Sequence, residues 1–195
     1  MSGERIPADG EVRDLAWSVD PALFVAILPI AAFGYANLFG DLAMLTYVHI
    51  GTGTLWTGVV LCIGYILSPI LEDRDPFDRC VILARLVPLT VVVLPALAVV
   101  TIGSGVQLAL VHDSISVSSP VILAVITVTA LIAVVAFGLV FPCDIRLYRE
   151  LQSETPDTES VASLGTRNAK LLTVQGAFQV AILFLMIQLS GQVPQ

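Results

Sequence analysis

The sequence predicts an all-α, polytopic membrane protein, a bundle of five transmembrane helices. Two observations carry this. Of the 195 residues, 56% are hydrophobic and only 13% are charged, whereas soluble domains carry about a quarter charged residues; the mean hydropathy is +0.91. Apolar runs long enough for a hydrocarbon core of about 30 Å recur five times, and every charged residue falls between or outside them. Little chain is left for a soluble domain.

Residues 1–20 are polar and net acidic, with Arg5 and Arg13 the only basic side chains. A secretory signal opens with a short basic region, so no cleaved signal is expected and the segment reads as an acidic cytoplasmic tail. The first helix covers about 21–39, with Asp20 as N-cap, Pro21 at the first helical position and Trp17 at the interface. Gly40 and Asp41 form a short turn.

The second helix covers about 43–71 and contains no Asp, Glu, Lys or Arg. It holds His49, the only histidine inside an apolar run. Gly53 and Trp56 follow one and two turns on, on the same face. A second face carries Gly51, Thr54, Gly58 and Cys62, whose small side chains would let another helix backbone approach. An ionisable ring in hydrocarbon is expensive and faces the bundle interior, which makes His49 the leading functional candidate. The plainer alternative is a neutral ring bonded to a neighbouring helix.

Glu72–Arg85 reads as a charged loop holding Arg74, Arg79 and Arg85. The third helix covers about 86–111; Pro88 and Pro95 should kink it, and Gly103 and Gly105 lie near its far end. His112 and Asp113 fall outside the apolar run and read as solvated loop residues. The fourth helix, about 121–143, is rich in Val, Ile and Ala and reads as packing material. It ends in FPCDIRLYRE, where Arg146, Tyr148 and Arg149 mark an interface. The loop that follows shows a short helix, capped by Thr155, with Pro156 first, Asp157 in its first turn and Gly165 at its end. The fifth helix covers about 171–190. Gln175 and Gln179 lie one turn apart on it, with Asn168 on the same stripe, and read as interhelical hydrogen-bonding glue. Residues 191–195 form a short outer tail.

Orientation follows from charge. Arg74, Arg79 and Arg85 lie in one connection and Arg146, Arg149, Arg167 and Lys170 in another, while the intervening connections have no basic residue. The positive-inside rule puts both basic connections in the cytoplasm. The N-terminus is then inside and the C-terminus outside, in the cell membrane. His49 falls about 9 Å from the outer end of its helix. A faint internal repeat relates Gly64 to Pro69 with Gly138 to Pro142, each at a helix end before an Arg-containing segment, so helices two–three and four–five read as related hairpins.

The formal net charge is −7 and arginine outnumbers lysine eight to one. An acidic, lysine-poor surface argues against nucleic acid as a partner and suits the high-salt cytoplasm of a halophile. The three cysteines follow no disulfide or zinc spacing. No P-loop, dinucleotide fingerprint, nucleophile elbow or HExxH is present. No carboxylate is expected deep in a helix, so a proton relay of Asp and Glu is not indicated.

The run His49-Ile-Gly-Thr-Gly-Thr-Leu-Trp56-Thr-Gly58 resembles the "His, then Trp-x-Gly seven residues on" signature of a membrane superfamily. That superfamily includes CopD-type copper-resistance proteins, HemJ-type protoporphyrinogen oxidases and a related family of uncharacterised integral membrane proteins, which it resembles most. Pro69, the Arg-containing segment and the last helix extend the likeness loosely. In HemJ-type proteins the matching histidine binds haem b, and the resemblance implies that role for His49, with Trp56, Thr52 and Gly53 beside it. The Arg and second His that follow Trp-x-Gly in those oxidases are missing here, where Gly64, Tyr65 and Pro69 stand nearby, so oxidase activity is not implied. The copper-resistance relatives imply copper as the alternative at His49, with Met44 and Met186 the methionines near the outer half. Three readings stay open: a protein holding haem b or a transition metal through His49, with a homodimer needed for two histidine ligands; a small copper or solute permease component; and a non-catalytic structural or accessory subunit whose partners, beyond the bilayer, are unnamed.

Overall fold

A computed structural model describes residues 19–111 and 119–190; the expectations for residues 1–18, His112 and Asp113, and the tail at 191–195 lie outside the described residues. The described chain forms five helices, each long and apolar enough to cross a membrane: α1 (Asp20–Leu38), α2 (Leu42–Glu72), α3 (Pro76–Val111), α4 (Pro120–Leu151) and α5 (Thr158–Ser190). α3 is central and touches the other four. α5 packs on α2, α3 and α4, and α1 lies against α2 and α3.

The surface is apolar and the interior is partly polar. Phe24, Leu28, Tyr47 and Leu110 are largely exposed, while Thr52, Ser104, Asp144, Asn168, Gln175 and Gln179 are buried. That inversion is what a hydrocarbon solvent demands, because a polar side chain in lipid is driven toward the bundle.

Three helices run further than their apolar stretches. α3 starts at Pro76 rather than near Leu86, α4 continues to Leu151, and α5 starts at Thr158 rather than near Leu171. The segment read as a 72–85 loop is therefore mostly helix. In each extension the charges other than Asp144 lie off an apolar stripe that recurs at helical spacing. Cys80, Leu83, Ala84 and Val87 of α3, Leu147 and Leu151 of α4 and Val161 of α5 meet in one buried cluster. The short helix expected to end at Gly165 is the start of α5. Gly165 is interior to it, where an added Cβ would come within 2.5 Å of Leu83.

The connections are tight because aspartates cap them. Asp41 Oδ1 accepts from Met44 N at 2.8 Å. Asp75 Oδ1 accepts from Phe77 N at 2.9 Å and Asp78 N at 3.0 Å. Asp157 Oδ1 accepts from Glu159 N at 3.0 Å, so Asp157, not Thr155, starts α5. Each bond satisfies an orphan N–H of a first turn. The Arg79 guanidinium donates to the carbonyls of Arg74 and Glu72 and ties down the α2–α3 turn.

α2 and α4 each contain one π-helical segment, Cys62–Leu67 and Val134–Val140. Both immediately precede an X-Pro pair, Ser68-Pro69 and Phe141-Pro142. Ser68 N–H donates to Ile63 O and Phe141 N–H to Ala136 O, five residues back in both cases. Proline cannot donate and its ring crowds the carbonyl four residues earlier, so the register slips by one residue ahead of it. The faint repeat of Gly64–Pro69 and Gly138–Pro142 thus coincides with two matching backbone discontinuities. Gly64 also lets α5 approach: an added Cβ would lie 2.9 Å from Thr173 N, and Thr173 Oγ1 donates to Gly64 O at 3.0 Å.

Candidate functional site

Two polar clusters occupy the bundle, linked along α2 by the His49–Trp56 face. The first lies between α2 and α3. His49 Nδ1 is 2.9 Å from Thr101 O and 3.2 Å from Ser104 Oγ. A carbonyl only accepts, so the bond to Thr101 O places the proton on Nδ1 and leaves a lone pair on Nε2. Ser104 can receive the same proton because its own hydroxyl donates to Val100 O at 2.6 Å. Thr101 Oγ1 donates to Thr52 Oγ1 at 3.0 Å, and Thr52 in turn donates to Val48 O at 2.7 Å. The ring is therefore oriented by α3; Thr52 joins the network through Thr101.

Two glycines make this approach possible. An added Cβ on Gly53 would lie 3.2 Å from Thr101 Cγ2. One on Gly105 would lie 2.7 Å from His49 Cε1 and 3.2 Å from Nδ1. Gly105 is thus a site residue that sequence reasoning noted only as a small residue; its position one residue past Ser104 was the available signal.

The Gly51–Thr54–Gly58–Cys62 face does not pack against the other described residues. All four residues are exposed, and an added Cβ on Gly51 or Gly58 would meet nothing within 4 Å. The face opposite, with Thr52, Trp56 and Val60, is the one turned inward. The close-packed glycines are instead Gly53, Gly64, Gly105, Gly165 and Gly176.

The second cluster lies deeper along the same bundle. Asp144 of α4 is 1% exposed and accepts from Asn168 Nδ2 at 2.7 Å. This corrects the expectation that no carboxylate lies deep in a helix. The apolar stripe Val140, Cys143, Leu147 and Leu151 of α4 is buried, and Asp144 sits on it by helical spacing. A cavity of about 10 Å³ is lined by Asp144, Gln175, Trp56, Pro95, Phe137 and Val140 among others. Gln175 and Gln179 are buried on the inner face of α5, and among the described residues their amide oxygens accept no interhelical hydrogen bond. Gln175 Oε1, both amide atoms of Gln179 and Asn168 Oδ1 have no hydrogen-bond partner among the described residues. A buried polar atom left in that state costs about 1–3 kcal/mol, a cost that a water or small ligand hydrogen-bonded there would offset.

His49 gives a haem one axial nitrogen, Nε2. It gives no slot: Trp56 is 4% exposed and packed among Val60, Leu94 and Leu97, and the cavity beside it is far smaller than the several hundred Å³ of a cofactor pocket. The residues of one chain therefore do not fit the macrocycle. Among the described residues no three His, Cys, Asp or Glu side chains come together as a metal group, and Met44 packs with Leu45, Val48 and Val100. No family model, curated protein or solved structure matches the chain.

Proposed function

We propose that the chain is a multi-pass cell-membrane protein acting as a small permease, or the membrane component of one, with its basic helix connections in the cytoplasm. Its interior carries a small polar solute or ion between the His49 cluster and the Asp144 cluster. The observation that supports this most is the stripe of buried amides on α5, Asn168, Gln175 and Gln179, each with at least its carbonyl oxygen unpartnered among the described residues. It faces a carboxylate across the bundle at Asn168 and adjoins a water-sized cavity at Gln175. An accessory subunit held together by helix packing has no use for unpaired amides that apolar residues of similar volume would replace at a gain.

The backbone supports the same reading. Pro-interrupted helices at corresponding positions of two hairpins are a pointer to a transporter's binding site. Here both interruptions adjoin small cavities, one lined by Ala136, Phe137 and Val140, the other by Ser68 and Leu71. The test is a solute panel. Purified protein in liposomes is shrunk by equal hyperosmotic steps of small neutral solutes or of sodium, potassium and choline salts of a membrane-permeant anion, and volume recovery is read by light scattering. At least one solute should re-enter faster than in protein-free liposomes, and Asp144→Asn should remove the difference. Identical traces for every solute would reject the permease.

A second reading keeps its own observation. A histidine whose Nδ1–H is fixed by a carbonyl, with Nε2 unbonded, is in the state in which imidazole ligates a transition metal. Held by one chain, such a metal would have one protein ligand, so this reading requires a second copy.

A further inference from the structure

We propose that the cavity between Asp144 and Gln175 is a binding site for one small monovalent cation, with sodium as the fitting ion. This inference rests on the permease reading for its purpose, but the binding itself is measured separately from transport. Three observations carry it. Asp144 is 1% exposed, and its one hydrogen bond among the described residues, from Asn168 Nδ2, occupies a single carboxylate oxygen. Gln175 is equally buried, lines the same cavity, and its Oε1 lacks a partner among the described residues. The cavity, about 10 Å³, has room for about one water-sized body.

The donor set selects the ligand. A carboxylate and an amide oxygen are hard donors, which suits an alkali cation and does not suit copper or another soft metal. A single carboxylate balances a single positive charge. The cluster of acidic side chains that a calcium site gathers is not found among the described residues, where no three His, Cys, Asp or Glu meet. Arg146 and Arg167, close in sequence to Asp144 and Asn168, are exposed, and the one polar contact of the Asp144 carboxyl among the described residues is the Asn168 amide. A buried carboxylate without a counter-charge is costly, and a cation in the cavity relieves that cost together with the unpaired Gln175 oxygen.

Trp56 lines the cavity and reports on it. The chain has two tryptophans, so Trp17→Phe leaves Trp56 as the sole tryptophan, excited selectively at the red edge beyond tyrosine absorption. In detergent, sodium chloride is titrated against N-methylglucamine chloride at constant ionic strength and pH, and Trp56 emission is followed. A saturable sodium response is expected, absent with the organic cation and weaker with potassium. Asp144→Asn keeps the shape and the acceptor for Asn168, and should abolish the response. Gln175→Leu, a second variant that keeps the carboxylate, should raise the half-saturating sodium about tenfold, the loss of one charge-assisted contact. Equal responses to sodium and N-methylglucamine, or a sodium response unchanged in both variants, overturn the site. Sodium binding in detergent with no flux in liposomes would reject the permease and retain the site; flux without sodium binding would do the reverse.

Discussion

Gly105→Ala tests whether the His49 ring is seated as described. The added methyl would lie 2.7 Å from Cε1, 3.2 Å from Nδ1 and 3.6 Å from Nε2 of His49, and no other atom outside its own helix turn comes as near. The ring must therefore move, and with it the bonds to Thr101 O and Ser104 Oγ. Overpacking costs about 1–3 kcal/mol and a lost hydrogen bond about 1 kcal/mol. Against this, Ala gains about 0.5–1 kcal/mol over Gly inside a helix. The net loss should be about 1–3.5 kcal/mol, an apparent Tm lower by about 2–14 °C for a chain of this size. Thermal unfolding in one detergent measures it. The informative sample is the double variant. In a His49→Ala background nothing remains for the methyl to meet, so Gly105→Ala should become neutral or raise Tm. A sign change of this kind is a coupling that only direct contact produces. If Gly105→Ala lowers Tm equally in both backgrounds, the ring does not sit on Gly105 and the assignment of the Nε2 lone pair loses its basis.

Other outcomes follow from the same geometry. Gly64→Ala should destabilise the bundle by about 1–3 kcal/mol through its clash with the Thr173 backbone, whereas Gly58→Ala, which meets nothing, should be neutral or stabilising; equal Tm values would remove the α2–α5 contact. In a Cys62→Ser background, cysteine at Ser118 should react with an impermeant thiol reagent from outside and cysteine at Glu154 only after permeabilisation, and the opposite pattern would invert the topology. Protein from haem-replete, copper-supplemented cells should show no Soret band in its monomeric fraction. A monomer band that His49→Ala abolishes would contradict the misfit of the macrocycle. Copper that follows His49 only in a dimeric fraction would support the metal reading.

Most of the fold was legible because apolar runs free of charge have one economical solution in a hydrocarbon solvent. The places where expectation and structure part are those where charge and helix coincide. Arg79, Arg85, Arg146, Arg149 and Arg167 look like loop residues when charge is counted linearly. Each lies on a helix whose opposite face is buried, as Cys80, Leu83, Leu147 and Val161 show. Reading the same residues by helical period would have extended α3, α4 and α5 and turned Asp144 inward. The site was legible at His49 and Trp56, whose shared face does turn inward, and at Gln175 and Gln179 as buried amides. The inward and outward faces of α2 were not separable, since Gly51, Thr54 and Gly58 satisfy a packing pattern as well as Gly53 does. What decides between them is the partner: Thr101, Ser104 and Gly105 arrive from α3, far along the chain, and no local pattern in α2 encodes their arrival. The two π-helical segments show the reverse case, where a weak repeat in sequence marks a matching backbone device.

The permease we propose conducts through the polar interior of the bundle. The direct measurement is radiolabelled sodium uptake into proteoliposomes under an imposed gradient, with wild type, Asp144→Asn and Gly58→Ala side by side and unfolding curves confirming that all three are folded. Wild type and Gly58→Ala should take up sodium well above empty liposomes, and Asp144→Asn should fall to their level. Uptake by wild type no faster than by empty liposomes, or undiminished in folded Asp144→Asn, would contradict the account.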